Sequence, residues 1–237
     1  MLDGLEPGFD CFFSPSQGFV KPYLWGWESA HAYIGVVSDS LPEPLSLIAD
    51  KLAPYLASID YRGAISTEAL ITKDGTPYVI DYTCRMPFPL SLAYTELYSN
   101  YSDIILSVAQ DKKITAKTTA PFVACLPLSS EYAKDNWLQI NIDPKQRRWI
   151  KTLDSCMAAG DIFSVRGPTN IVNLVAVGDS VPDLSKRISG LLDHVHAHGL
   201  EGKAALGSLQ NIEGIISEGE KAGLKFRPQS FIVGKPG

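Results

Sequence analysis

The sequence predicts an α+β fold in which short antiparallel strands pack against amphipathic helices. An Asp-Gly pair at 74–75 separates two strand-like runs, 62–72 and 77–85, a pattern typical of a β-hairpin. Residues 43–59 carry apolar side chains three and four positions apart, which indicates a helix. After residue 120, short strand-like runs precede further helical segments, so the strands and helices do not alternate regularly.

The remaining elements follow in chain order. Residues 1–40 are rich in aromatic residues, Gly and Pro, and we expect short strands there that pair with other parts of the chain. A second helix is expected over 92–110, where apolar residues again lie on one side. The later strands are expected at 121–127, 137–142, 161–165 and 171–177, and the later helices at 183–197 and 209–222.

The polar stretch DKKITAKTTA at 111–120 is typical of a linker or a domain boundary. We therefore predict one unit over residues 1–115 and a second, β-rich unit over residues 116–237. The sequence contains no internal repeat.

Composition restricts the classes of partner. The chain has 237 residues and a formal net charge of −5, without a basic stripe, so a nucleic-acid partner is not expected. No apolar run approaches the length of a membrane span, so a membrane partner is not expected either. The first ten residues lack a basic or apolar leader, and the four cysteines lie singly among apolar neighbours. We expect a cytoplasmic protein with buried, reduced thiols and no signal peptide.

The hairpin carries the chemistry that the sequence suggests. If residues 74–75 form a two-residue turn, Glu68 lies directly opposite Asp81 and Ser66 lies opposite Thr83. Side chains alternate along a strand, so these residues share one face. The opposite face is expected to pack on the core through Ile65, Ala69, Ile71, Ile80 and Tyr82.

Two facing carboxylates repel each other unless a positive charge neutralises them. A hard cation such as Mg²⁺, which takes carboxylate and phosphate oxygens, is one solution. Arg85 lies on the same face and suits an anionic substrate or an acyl phosphate. The alternative is a solvated hairpin face on which Arg85 bridges the two acids. The pattern alone leaves both interpretations open.

The run YRGAISTEALITKDGTPYVIDYTCR, residues 61–85, resembles the metal-binding hairpin of the ATP-grasp enzymes. In that resemblance Glu68 matches the first acid, Asp81 takes the place of a glutamate and Thr83 takes the place of an asparagine. Arg85 matches the arginine of the motif. The resemblance implies that Glu68, Asp81 and Thr83 hold the metal and that Arg85 is catalytic.

The order of the surrounding segments is similar to that of the glycinamide ribonucleotide synthetases, including the stretch CMAAGDIF and the later run TNIVNLVAVGDSVPDLSKRISGLLDHV. The resemblance implies the C-terminal half of an ATP-grasp domain, an antiparallel sheet with helices, followed by a small β-rich domain. It also implies ATP and Mg²⁺ (or Mn²⁺) as cofactors and ligation of glycine to phosphoribosylamine through an acyl phosphate. Glu6 and Lys21 are placed near the nucleotide by the same resemblance.

Three departures from the family pattern qualify this expectation. Asp81 and Thr83 replace longer or stronger ligands, and residues 86–90 read MPFPL where the family carries two acids. The phosphate-gripping half of the fold is not in the sequence, so a separately encoded N-terminal half is a candidate partner. It would dock on exposed apolar surface expected around 1–40 and 62–72. The alternatives are a catalytically inactive binding or regulatory remnant and an ATP-grasp ligase of other specificity.

Two further patterns have simpler explanations. His194, His196 and His198 are expected at a solvated helix end capped by Gly199, although a metal site is the alternative. Trp25 and Trp27 are expected to pack in the core and not to stack on a ligand.

Overall fold

The computed structural model describes residues 3–30 and 32–228, which form an α+β fold as predicted. The helices are α1 (Glu43–Ser58), α2 (Tyr94–Leu97), α3 (Tyr101–Ala109), α4 (Val181–Leu191) and α5 (Gly202–Lys221). The strands of the first half are β1 (Gly4–Leu5), β2 (Pro7–Ser14), β3 (Gly18–Phe19), β4 (Tyr23–Ser29), β5 (Ala32–Ser38), β6 (Gly63–Thr72) and β7 (Pro77–Thr83). Those of the second half are β8 (Phe122–Ser129), β9 (Leu138–Ile142), β10 (Ile150–Thr152), β11 (Ser155–Ala158), β12 (Asp161–Ser164), β13 (Asn170–Gly178) and β14 (Val195–His196).

Every strand pairing in the described residues is antiparallel. The main sheet has the order β1-β6-β2-β4-β5-β8-β13-β10, with β3 added to β2 and β7 added to β6. A smaller sheet has the order β11-β12-β9-β14. The main sheet crosses the predicted boundary at residue 115, because β5 pairs with β8. The two predicted units therefore share one sheet, and the division into domains stays a prediction.

The main sheet is covered on both faces, because its strands alternate two sets of apolar side chains. One face packs against α1, α4 and α5 and includes Phe9 and Trp25. The other face packs against α2, α3 and a short 3-10 helix, Leu90–Ala93, and includes Phe12 and Tyr33. Trp25 and Trp27 are each 1% exposed, which confirms the prediction that they lie in the core.

The helix predicted over 92–110 is interrupted. Between α2 and α3, Tyr98 has an extended backbone and pairs with Thr118. The side chain of Asn100 donates to the carbonyl of Thr115 and accepts from the backbone N–H of Lys117. The polar stretch 111–120 therefore supplies backbone partners that compete with the helical hydrogen bonds.

The helix predicted over 183–197 ends at Leu191, so the prediction was wrong for its last turns. His194 lies in a 3-10 turn and His196 lies on β14, where it pairs with Asn141. Gly199, with φ +66°, lies in the loop that follows and does not cap this helix. The short strands β10 and β11 were not predicted.

All four cysteines are free thiols, and two of them are buried while two are exposed. Cys11 and Cys125 are buried in the sheet, as expected. Cys84 and Cys156 are exposed, so the expectation of four buried thiols was wrong for these two. They lie in or next to poorly covered parts of the sheets, after β7 and on β11.

Candidate functional site

The hairpin of β6 and β7 has the predicted pairing. Glu68 pairs with Asp81 and Ser66 pairs with Thr83, which confirms the sequence-based register. The turn is one residue longer than predicted, since Thr72 and Thr76 close it through a 3.1 Å backbone hydrogen bond. A β-bulge next to Glu68 then restores the register, so the two deviations cancel.

Ile80 is the extra residue of this bulge, because Ala69 pairs with Val79 and the next pair is Glu68 with Asp81. Bulges re-aim side chains, and β7 pairs with a strand on one side only. Ile80 is 52% exposed and Tyr82 is 41% exposed, so the prediction that both pack on the core was wrong. The other predicted core residues of the hairpin are buried: Ile65, Ala69 and Ile71.

A cleft of about 290 Å³ opens beside the hairpin. Its walls come from β2, β4 and β6, from the end of β7 and from the segment 85–90. Of the six site residues predicted from the sequence, four line the cleft: Glu6, Glu68, Thr83 and Arg85. The structure thus brings together residues from the start of the chain and from both hairpin strands.

The two other predicted site residues do not line the cleft. Asp81 is exposed, and its carboxylate accepts a 2.7 Å hydrogen bond from the backbone N–H of Tyr82. Lys21 lies between β3 and β4, with its Nζ atom 5.6 Å from the centre of the Tyr23 ring. The functional roles of all six residues stay predictions.

A row of glycines gives the cleft its depth. Gly8, Gly26 and Gly35 are in register across β2, β4 and β5. A Cβ atom at Gly26 would lie 2.3 Å from the carbonyl oxygen of Ile34 and 2.8 Å from the ring of Tyr33. The glycines therefore let the Tyr33 ring lie against the sheet, where its hydroxyl reaches the floor of the cleft.

Asp10 forms that floor and was missed by sequence reasoning. It is 4% exposed and accepts a 2.8 Å hydrogen bond from the Tyr33 hydroxyl. Burial raises its pKa to about 6, against the hydrogen bonds from Ser66 and Tyr33 and with the help of the Glu68 charge. The signal was a single carboxylate within the otherwise apolar run of β2.

Glu28 is a second acid with a perturbed pKa in the cleft. Desolvation of its carboxyl by the cleft walls and the charges of Glu68 and Asp10 raise its pKa to about 7. The residue as a whole remains exposed. With Glu6 and Glu68, these acids give the cleft a negative wall.

Arg85 is the one cation among the described residues that line the cleft. Its Nη1 atom donates a 3.0 Å hydrogen bond to the carbonyl of Met86, and the residue is exposed. Within residues 3–30 and 32–228 it forms no ion pair with an acid. Since a guanidinium has five donors, Arg85 retains most of its capacity to bind an anion.

The oxygen atoms in the cleft fit a divalent cation that also binds phosphate. Across the described residues, no three His, Cys, Asp or Glu side chains are grouped so that they could hold a metal ion by themselves. Glu68 and Thr83 offer a carboxylate and a hydroxyl on the same wall. Mg²⁺ in proteins commonly uses one or two carboxylates and completes its shell with substrate phosphates and water.

The three histidines of the predicted run at 194–198 lie outside the cleft. The Nδ1 atom of His194 is 3.1 Å from a carboxylate oxygen of Asp143. His194 and His196 line a separate groove beside β9 and β14. The ring of His198 contacts Tyr132, with 4.6 Å between the ring centres.

Comparison with known structures identifies the fold as that of the ATP-grasp enzymes. A phosphoribosylamine–glycine ligase from Thermotoga maritima is similar with a TM-score of 0.69 and 16% sequence identity, over 84% of this chain and 55% of the ligase. No protein-family model matches the chain, and no curated protein matches it by sequence. At this identity the similarity establishes the fold alone.

Biotin carboxylases share the same fold. The enzyme from Campylobacter jejuni, solved as a complex with a β,γ-ATP ligand, has a TM-score of 0.61 at 14% identity, over 91% of this chain and 51% of the carboxylase. The corresponding domain of the Hydrogenobacter thermophilus 2-oxoglutarate carboxylase, solved with MgADP, ADP and bicarbonate, has a TM-score of 0.61 at 10% identity, over 92% and 53%. The chain spans about half the length of these neighbours. No helix in the described residues is long and apolar enough to cross a membrane.

Proposed function

We propose that this chain is part of an ATP-dependent carbon–nitrogen ligase. The observation that carries the proposal is the cleft, which places Glu68, Thr83 and Arg85 together on an ATP-grasp fold. The fold likeness supports nucleotide chemistry in general, and the cleft supplies a location for it. We place the protein in the cytoplasm, in keeping with its free thiols.

Each cleft residue has a role in this proposal. Glu68 and Thr83 would hold Mg²⁺ (or Mn²⁺), and Asp81 would join them once its side chain turns from Tyr82 toward its strand partner Glu68. The ion would supply positive charge for phosphoryl transfer from ATP. Glu6 contacts the nucleotide at the rim. Lys21 lies outside the cleft, so it serves only a part of the nucleotide that extends beyond it.

Arg85 stabilises the reacting groups. A substrate carboxylate oxygen attacks the γ-phosphorus of ATP, and ADP leaves. The resulting acyl phosphate keeps its negative charge beside the guanidinium. An amine then attacks the acyl carbon, loses a proton and expels inorganic phosphate, so that an amide remains. In the more specific form of the proposal the acid is glycine, the amine is phosphoribosylamine and the pathway is purine biosynthesis.

The cleft alone is too small for the complete reaction. At about 290 Å³ it lies near the lower limit of roughly 300–1,000 Å³ for small-molecule sites. The rest of the nucleotide and the amine need further protein surface, and the neighbours are about twice as long as this chain. We propose that a separately encoded N-terminal half, or a further part of the same polypeptide, provides it.

The predicted docking surface needs revision. Residues 5–14 and 63–72 are mostly buried in the main sheet, so the expectation of exposed apolar surface there was wrong. On the hairpin, the exposed apolar residues that do not line the cleft are all on β7: Tyr78, Val79 and Tyr82. This is the surface that we now expect a second half to cover.

A second candidate function is a binding or regulatory remnant without catalysis. The observation that favours it is the position of Asp81 outside the cleft, together with the loss of acids at 86–90. An ATP-grasp ligase of other specificity is the third candidate, because the fold is shared with enzymes as different as biotin carboxylase.

Isothermal titration calorimetry with ADP in millimolar Mg²⁺ tests the proposal. We expect the wild-type chain to bind, and Glu68→Gln to weaken binding at least about tenfold, since one charged metal ligand is removed. Glu131→Gln, at an exposed acid outside the cleft, is the matched control and should bind as the wild type does. Equal binding by the Glu68→Gln variant, or none by the wild type, would reject the nucleotide site.

A reconstitution assay separates the ligase from the remnant. The chain is mixed with the N-terminal half of an ATP-grasp ligase, and ADP release is measured with glycine and an amine present. Metal-dependent ADP release that is lost in Arg85→Gln supports the ligase. Nucleotide binding without ADP release favours the remnant.

A further inference from the structure

The cleft has an apolar wall that the proposed metal and phosphate chemistry does not use. Ile80 and Phe88 line it and are 52% and 38% exposed. Pro87 and Pro89 flank Phe88 and also line the cleft. When a ligand in a concave site removes exposed apolar side chains from water, this burial favours binding.

The charged groups of the cleft lie on other walls. Glu6 and Glu28 belong to the negative wall, with the buried carboxylate of Asp10 beneath it. Arg85 is positive and has no acidic partner among the described residues. Among the described residues that line it, the cleft therefore combines a negative wall, a single cation and an apolar surface within about 290 Å³.

We infer that the cleft binds an α-amino acid with an apolar side chain. The carboxylate lies at Arg85, the ammonium group at Glu6 on the negative wall, and the side chain against Ile80 and Phe88. Such an amino acid carries a negative, a positive and an apolar group, which match the cation, the negative wall and the apolar wall of the cleft. This inference rests on the proposed function in one respect: the bound carboxylate is the group that the ligase would activate.

Other ligand classes match the walls less well. A dicarboxylate brings a second negative charge toward Glu6 and Glu28. A simple amine leaves Arg85 unpaired. Glycine satisfies the charged groups but leaves Ile80 and Phe88 exposed to water. The apolar wall thus favours a larger apolar amino acid over glycine, so this inference keeps the general ligase proposal and replaces its glycine-specific form.

Calorimetric titrations of the chain as it exists, with and without MgADP, test the inference. The ligands are leucine, glycine, leucinamide and 4-methylpentanoate, so that the apolar group, the carboxylate and the amine are removed one at a time. We expect leucine to bind at least about tenfold more tightly than each of the others, since glycine lacks the apolar side chain and the other two ligands each lose a charge-assisted hydrogen bond.

Three substitutions test which wall of the cleft binds which group of the amino acid. Phe88→Ala should weaken leucine binding about tenfold and leave glycine binding unchanged. Arg85→Gln should make leucine and leucinamide bind equally. Glu6→Gln should reduce the preference for leucine over 4-methylpentanoate. Leu106→Ala, at a side chain that is 57% exposed outside the cleft, is the control and should change none of these ratios.

The inference is overturned if glycine or leucinamide binds as tightly as leucine, if Phe88→Ala leaves the leucine-to-glycine ratio unchanged, or if no amino acid binds with or without MgADP. Nucleotide titration keeps the two proposals apart. Nucleotide binding without selective amino-acid binding rejects this inference and leaves the ligase proposal intact. Leucine binding without nucleotide binding does the reverse.

Discussion

Two buried carboxylates in different regions of the molecule, Glu96 and Asp10, differ in the charge of their hydrogen-bond partners. Glu96 on α2 is 5% exposed and is hydrogen-bonded by Arg148 and by the Nζ atom of Lys151, the latter at 2.7 Å. Asp10 on β2 is 4% exposed and accepts from the neutral Tyr33 hydroxyl. The two residues are similarly buried, and among the described residues only Glu96 has cationic partners.

The pKa shifts follow the partners. Burial desolvates the Glu96 carboxyl, but the hydrogen bonds and charges of Lys151 and Arg148 outweigh this and lower its pKa. Burial raises the pKa of Asp10 more than the hydrogen bonds from neutral groups lower it. The Glu68 charge raises this pKa further, to about 6. The fold neutralises Glu96 internally and ties α2 to β10. It leaves Asp10 without a cationic partner among the described residues.

The largest effect is expected at Glu96. Glu96→Gln should lower the free energy of unfolding by about 3 kcal/mol at pH 7, because Lys151 loses its buried counter-charge. The folded pKa of Glu96 is lowered, so this contribution is present above the ordinary pKa of 4.5 and is lost as the pH falls through the folded pKa. Urea unfolding of this variant and of the exposed control Glu131→Gln measures it. A loss below about 1 kcal/mol would contradict the structural role.

Asp10 should behave in the opposite way. Its folded pKa is raised, so its contribution is favourable below the ordinary value of 3.8 and is lost as the pH rises through about 6. Asp10→Asn should therefore be more stable than the wild type by on the order of 2 kcal/mol at pH 8 and about equal at pH 4. Urea unfolding in the presence of EDTA checks this. A difference that does not change with pH would show that the Asp10 carboxyl is not desolvated as described.

The smallest expected effect is at Tyr33. Tyr33→Phe removes the hydroxyl that donates to Asp10, so the pKa of Asp10 should rise further. The cost should be about 1 kcal/mol at pH 8 and smaller at pH 5, where Asp10 is largely protonated. A carboxyl-labelled NMR titration measures the pKa directly. Tyr98→Phe is the control, because Tyr98 is buried and its hydroxyl donates to no described residue.

The comparison also explains which site residues the sequence could supply. Glu68 and Thr83 were predicted from strand alternation and a turn signal, and both line the cleft. Asp10 and Glu96 carry no local signal beyond a single acid in an apolar segment. Their partners lie 23 residues away at Tyr33 and 52 to 55 residues away at Arg148 and Lys151, so no local pattern connects them.

By itself the sequence determined the local structure: helix α1, the pairing of Glu68 with Asp81 and the burial of Trp25 and Trp27. These follow from side-chain periodicity and turn chemistry, which act over a few residues. Only the tertiary structure decided that Ile80 faces the cleft, that Asp81 does not line it and that Asp10 is buried without a cation. A bulge re-aims side chains, and the charge of a carboxyl depends on desolvation by distant segments, so neither is fixed until the sheet is assembled.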